Sequence, residues 1–256
     1  NPFTEEAEFD FEKFYAYTYE CQRLMDDLVD LELEHITTIL NKVKADPEPD
    51  YIKDTELRLW KLLYDTGKKG RRTGLGFTAL ADAIAALGMR VDDEQGLEMI
   101  DKIMRCKMEG EFDSSIDMSI ERGSFGGFDP AIENTSEFVQ MMAAEFPDMY
   151  NRMMQHGRRN ISISTVALTG TISMLAQTTS GIEPPFMLSY KRRRKLNEKQ
   201  INNAKATFID ELGDAWEEFD VYHPKLKTWM EGSGKEYIDE SPYAGMTANE
   251  LDWLQR

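Results

Sequence analysis

The sequence predicts an α/β fold in which helices outweigh strands. Three observations carry this reading. Long segments repeat their apolar residues every three or four positions, the period of a helix packed on one side. Short β-branched or extended runs lie between those segments, and strands separated by helices favour parallel pairing. The chain has 256 residues, 41% hydrophobic and 30% charged, enough to bury a sizeable core.

The longest periodic segment covers residues 10–44. Phe14, Tyr17, Cys21, Leu24, Leu28, Leu31, His35 and Ile39 form its apolar stripe, with Asp26, Asp27, Asp30 and Glu34 mostly between them. Two prolines in "ADPEPD" (45–50) stop it. A second helix is predicted from Asp54 to Gly67, with Leu57, Trp60, Leu63 and Tyr64 on its stripe. Arg72 to Phe77, with glycines at 74 and 76, reads as a strand or tight turn. Thr78 to Leu87 then reads as an apolar helix capped by Gly88. A further helix spans about 93–122. "RGSFGGFDPAIENTS" reads as a loop, and a helix at about 136–156 is broken at Pro147.

Asn160 to Ala167 alternates polar and apolar residues, so a strand is expected there. Residues 186–195, "FMLSYKRRRK", read as extended and then strongly basic. "KATFIDELGDAWEEF" reads as a short strand followed by a helix. "HPKLKTWMEGSG" and "SPYAGMTANELDWLQR" read as helical pieces joined by loops.

Composition excludes several classes of function. No apolar run approaches the roughly 20 residues of a membrane span, and no secretory signal is visible. A net charge of −17 opposes non-specific binding to nucleic acid. The expectation is a cytoplasmic chain with neither nucleic-acid nor membrane partners. Cys21 and Cys106 form no CxxC pair and read as small, buried or half-buried side chains in a reducing compartment. The opening "NPFTEEAEFDF" lacks a starting Met and reads as part of something longer.

The stretch that raises a functional question is "RNISISTVALTGTISMLAQTTSGIEPPF" (159–186). The strand ends in Leu168-Thr169-Gly170-Thr171, and "TISMLAQT" follows with helical spacing. Such a junction offers free backbone N–H groups at a helix start, where an anion is favoured. Thr169, Thr171 and Ser173 add hydroxyl donors. The turn is suited to holding a phosphate rather than attacking it. It lacks the Lys of a Walker motif and the spacing of a dinucleotide fingerprint, so an ordinary βα turn with a capping Thr is the competing reading.

Other features have plain explanations beside functional ones. "YKRRRK" (190–195) could bind nucleic acid or phosphates, or be a solvated strand end offsetting an acidic surface. Arg71, Arg72, Arg158 and Arg159 each precede a predicted strand, where structural ion pairs are expected. Glu183, in "SGIEPPF", is either a group orienting a pocket rim or an anchor of a rigid loop. Glu32-x-x-His35 has the spacing of di-iron bundles. Its only echo is Asp220-x-x-His223, so a packed or capping His35 is expected and no metal. The fifteen methionines, Met141, Met142, Met153 and Met154 among them, read as core filler.

"GRRN…STVALTGTISMLAQTTSGIEPPF…YKRRRK", with "GRRTGLGFTALADAIAALG" and "CQRLMDDLVDLELE", resembles the catalytic chain of ribonucleotide reductases. The likeness is nearest to the adenosylcobalamin-dependent, class II branch. It runs from Asn1 to Arg256, with several separated motifs in order. The resemblance implies a single partial catalytic domain over 1–256, the second half of a ten-stranded α/β barrel. In that family a finger-loop cysteine becomes a thiyl radical and abstracts the ribose 3′ hydrogen. A cysteine pair supplies reducing equivalents as the 2′ hydroxyl leaves as water.

The family loop matching Leu168 to Ile172 wraps the substrate's phosphates, and the resemblance carries that role to Leu168, Thr169, Gly170, Thr171, Ile172 and Ser173. Leu168 stands where the family usually has Pro. The finger-loop motif and the redox cysteine pair are not in this chain, so no catalytic residue is assigned. The implied cofactor is adenosylcobalamin; a di-iron radical from a separate small subunit is the alternative. The implied partners are a ribonucleotide and the polypeptide carrying the finger-loop cysteine and the first half-barrel. A non-catalytic nucleotide-phosphate-binding or assembly module from the same barrel is the alternative function. A helical di-iron protein is a third class, against which the missing second Glu-x-x-His argues.

Overall fold

A computed structural model describes residues 1–197 and 206–251. Its helices are α1 (Phe11–Ala45), α2 (Asp50–Gly70), α3 (Leu80–Ala86), α4 (Glu94–Arg122), α5 (Pro130–Glu133), α6 (Glu137–Glu145), α7 (Pro147–His156), α8 (Gly170–Ala176) and α9 (Pro224–Ser233). Its strands are β1 (Ser189–Lys195), β2 (Phe208–Ile209) and β3 (Ala215–Tyr222). Residues 252–256, the end of the last expected helical piece, and Lys205, which opens "KATFID", lie outside the described residues. Among the described residues no helix is long and apolar enough to cross a membrane.

The chain divides into two compact units. One comprises Asp10–Gly76 and Asp101–Val166. Its apolar core gathers Phe112, Ile116, Val139, Met142, Met149, Met153 and Ile163. Asp10 caps α1, its side chain accepting from Lys13 N at 2.9 Å. Pro147 opens α7, which is why the predicted 136–156 helix is two helices. Residues 70–75 and 161–165 run side by side: Ile161 N donates to Gly70 O, Thr73 N to Ser162 O and Leu75 N to Ile163 O. The expected strand at 160–167 is thus extended and parallel-paired, reduced to one bridge, Leu75 with Ser164.

The predicted stripe of α1 is not its buried face. Thr18, Gln22, Asp26, Val29, Leu33 and Ile36 are buried, whereas Tyr17, Leu24, Leu28 and Leu31 are 51–62% exposed. The buried face carries polar groups with protein partners, so apolar periodicity pointed one residue away from it. Cys21 follows the exposed stripe; Cys106 is buried as expected, its Sγ 3.5 Å from Phe11 O.

The other unit comprises Asn1–Phe9, Phe77–Ile100 and Ala167–Arg256. Its core gathers Ala85, Leu188, Leu226, Trp229, Tyr243 and Met246. The three strands form an antiparallel sheet in the order β1-β3-β2. Two expectations are corrected here. This sheet is not parallel, because β1 and β3 pair in an antiparallel ladder from Ser189↔Tyr222 to Lys195↔Trp216. "AWEEF" is strand rather than helix. Its acids meet the basic run of β1 across the ladder: Arg194 Nη2 lies 2.5 Å from Glu217, Arg193 Nε 2.9 Å from Glu218 and Lys191 Nζ 3.3 Å from Asp220. Pairing along the whole ladder with β1 outweighs the helix propensity of Ala and Glu.

Candidate functional site

Thr169 is the residue that shapes the turn. It precedes α8 with φ 40° and ψ 25°, left-handed backbone that β-branched residues rarely adopt. Two bonds hold it there. Thr169 O accepts from Ser173 N at 2.8 Å, and Thr169 Oγ1 accepts from Gly181 N at 2.9 Å. Gly181 has φ 50°, and a Cβ on it would lie 2.9 Å from Ala167 O, so only glycine allows this approach. Ser173 is buried; its hydroxyl donates to Gly170 O at 2.9 Å and shares a hydrogen bond with the Ser180 hydroxyl at 2.8 Å.

Two of the six residues singled out in the sequence, Thr169 and Ser173, therefore use their hydroxyls inside the turn. Leu168, Gly170, Thr171 and Ile172 are exposed. Among the described residues nothing accepts from the N–H groups of Gly170, Thr171 and Ile172. A Cβ on Gly170 would meet nothing within 4 Å, and its φ is not left-handed. Neither packing nor backbone conformation demands glycine there. Its absent side chain leaves the backbone open to close approach from outside.

Gly170 and Ser173 line a cavity of about 600 Å³, together with Thr179, Glu183, Tyr190 and His223. That volume suits a small-molecule ligand. One buried carboxylate, Asp82 on α3, ties this wall together. It accepts from Thr179 N at 2.7 Å, from Tyr243 Oη at 2.8 Å and from His223 Nε2 at 2.7 Å. Burial, then the charge and hydrogen bond of Asp82, push the Tyr243 hydroxyl far above the ordinary phenol range, so it stays a donor. The Tyr243 and His223 rings meet edge to face, centroids 5.4 Å apart.

Asp82, Thr179 and Tyr243 were not singled out in the sequence. His223 drew notice only as an echo of a metal pair; it binds Asp82 instead. The available signal was Asp82 itself, a lone acid in the apolar run "LADAIAAL". Glu183 lines the cavity, exposed, as a rim residue would. His35 and Glu32 are both exposed on α1.

Of the four arginines before the predicted strands, Arg71, Arg158 and Arg159 make the expected ion pairs, whereas Arg72 is exposed and among the described residues no ion pair is shown for it. Arg71 Nε lies 2.8 Å from Asp26 and Arg71 Nη1 2.8 Å from Asp30; Arg159 Nε lies 3.2 Å from Asp26; Arg158 pairs with Glu133. Asn160 Nδ2 donates to Asp26 Oδ1 at 2.8 Å. Burial alone would raise the Asp26 pKa, but the bonds from Arg71, Asn160 and Arg159 together outweigh it and hold the carboxyl below the usual range. Asp26, Asp27 and Asp30 lie close enough to share a cation, but Asp26 is already taken by two guanidinium groups and an amide.

The chain is of mixed helix and sheet, and its turn at 168–173 opens on a cavity of small-molecule size. The family described as "Ribonucleotide reductase, barrel domain" matches residues 1–231, and the chain belongs to that family. Among similar proteins is the vitamin B12-dependent ribonucleoside-diphosphate reductase of Mycobacterium tuberculosis, 32% identical over 130 residues, 51% of this chain and 16% of the relative. The protein of the same name from Thermoplasma acidophilum is 26% identical over 186 residues, 71% of this chain and 21% of the relative. The ribonucleoside-diphosphate reductase subunit alpha of Treponema pallidum is 24% identical over 128 residues, 49% of this chain and 15% of the relative. The chain thus spans about a sixth to a fifth of the length of these relatives.

A cobalamin does not fit the cavity beside the turn. That cavity, about 600 Å³, is of a size for a nucleotide-sized ligand, not for a corrin and its appended nucleotide.

Proposed function

We propose that this chain supplies the substrate-phosphate wall of a ribonucleotide reductase. In this reading the complete enzyme converts a ribonucleotide and a dithiol into a deoxyribonucleotide, a disulfide and water. The radical and the redox thiols come from the polypeptide that carries the finger loop. The names of the relatives from Mycobacterium tuberculosis and Thermoplasma acidophilum favour adenosylcobalamin as the radical source of that complete enzyme. Leu168, Thr169, Gly170, Thr171, Ile172 and Ser173 form the phosphate turn, and both compact units act as one partial catalytic domain.

The observation that carries the reading is Gly170. It is glycine where neither fold nor φ requires it, beside three backbone donors without acceptors and on the wall of the cavity. Phosphate oxygens accept from such N–H groups, and a bare Cα lets them come close. Thr169 and Ser173 contribute by shaping the turn, since their hydroxyls are already bonded within it.

The test combines binding and reconstitution. Gly170→Ala should leave folding intact and weaken inorganic pyrophosphate binding on the order of tenfold, a loss of one or two hydrogen bonds. Mixed with the finger-loop polypeptide, reductant, ribonucleotide and adenosylcobalamin, the chain should support deoxyribonucleotide formation, reduced in parallel by the same substitution. Undiminished binding and turnover in Gly170→Ala would remove the turn from the site.

A further inference from the structure

Two polar atoms in the cavity wall lack partners, and both belong to residues that Asp82 holds. The His223 side chain is 9% exposed. Its Nε2 is committed to Asp82, which leaves Nδ1, and among the described residues nothing bonds to Nδ1. Thr179 is 4% exposed, and its Oγ1 is sheltered from solvent without any hydrogen-bond partner. Its backbone N–H is the one that donates to Asp82 Oδ2. Both residues line the cavity with Gly170 and Ser173. Nδ1 is the unbonded edge of a ring that Asp82 holds on the cavity wall, where a ligand can complete its bonding.

The carboxylate fixes what kind of ligand that is. Asp82 accepts, so the proton on Nε2 stays on Nε2. A ring bonded in that way donates from Nδ1 only when doubly protonated, and an anion opposite Nδ1 is what favours that form. Carboxylate, imidazolium and anion then make a chain with charge-assisted hydrogen bonds on both ring edges. The titratable groups around the ring are Asp82 and Tyr243, in contact with it, and Glu183 and Tyr190 on the cavity wall.

We propose that His223 is a ligand-binding residue of this cavity, its Nδ1–H donating to a phosphate oxygen of the bound nucleotide, with Asp82 positioning the ring. This rests on the phosphate reading above and extends it from the turn to a second wall.

The test needs no variant to begin. The 256-residue chain contains three histidines, at 35, 156 and 223. It is labelled with ¹⁵N-histidine and titrated with inorganic pyrophosphate while the ring nitrogens are followed by NMR. The expected result is binding, with the His223 ring alone moving to the doubly protonated pattern. His223→Gln identifies that signal and weakens pyrophosphate binding on the order of tenfold. Asp82→Asn lowers the doubly protonated fraction at saturating pyrophosphate, which a packing role would not do. Pyrophosphate that binds without moving the His223 signal overturns this inference and leaves the turn's role standing. No pyrophosphate binding at all overturns both.

Discussion

Each compact unit is organised around one buried aspartate, and the two differ in what their partners leave over. Asp26 receives Arg71, Arg159 and Asn160, and those three go on to further bonds with Asp30, with the carbonyls of Arg122 and Gly123, and with Arg71 O. The cluster closes on itself; Gln22 Oε1 is unpaired at its edge, but Gln22 lines none of the described cavities. Asp82 receives Thr179, His223 and Tyr243, and His223 keeps an unbonded ring edge on the cavity wall. A carboxylate whose partners are exhausted builds stability. One whose partners have an edge left over builds a place for a ligand.

The sharpest way to break this contrast is at Asp26. Asp26→Ala would strand two guanidinium groups in the interior, and the expected loss is about 3–5 kcal/mol in denaturant unfolding. A loss below about 1 kcal/mol would show that the cluster is not what holds its unit together. The cluster also predicts a pH dependence. The Asp26 carboxyl is held below its ordinary pKa, so its stabilisation is complete above about pH 4, where an unfolded aspartate titrates. It is lost as pH falls through the lower folded value. An Asp26→Asn chain should therefore show a flatter acid limb, and an unchanged limb would assign acid unfolding to other groups.

Asp82→Asn comes next in size. An amide cannot accept three bonds in the same geometry, so about 1–3 kcal/mol should go. Added pyrophosphate should recover less of the melting temperature than it does in the parent. Equal recovery would place Asp82 with Asp26, as structure only. Gly170→Ala should be nearly silent in thermal melting, since its Cβ meets open space, while binding falls. A large destabilisation there would mean that the turn's openness serves the fold. The smallest effect is expected on the sheet. Arg194→Gln on exposed β1 should leave the melting midpoint unmoved, because the ion pair with Glu217 is screened by water and salt.

What the sequence showed and what it hid follow from the same physics. Helices stopped by proline or glycine were legible, because those residues act on their own backbone: Pro147 opens α7 and Gly88 sits at φ 73° beyond α3. The arginine pairs were anticipated from their positions before predicted strands. The inward face of α1 was hidden, because Gln22 and Asp26 face partners more than forty residues away. Strand β3 was hidden for a related reason, since its acids are matched by a basic strand that local propensity does not see. The turn at 168–173 drew notice through its glycine and hydroxyls. Thr169 and Ser173 use their hydroxyls inside the turn, and the Asp82 cluster depends on three contacts that no local pattern encodes.

Asp82 also sets an order in time. Its three bonds close loops of 97, 141 and 161 residues. Contacts that distant form late, after local helices have already condensed. During refolding, the helices should be present well before the cavity can take a ligand. Recovery of pyrophosphate binding should lag behind recovery of the far-ultraviolet helix signal. In a chain made from its N-terminus, Asp82 waits for 161 further residues before Tyr243 is in place.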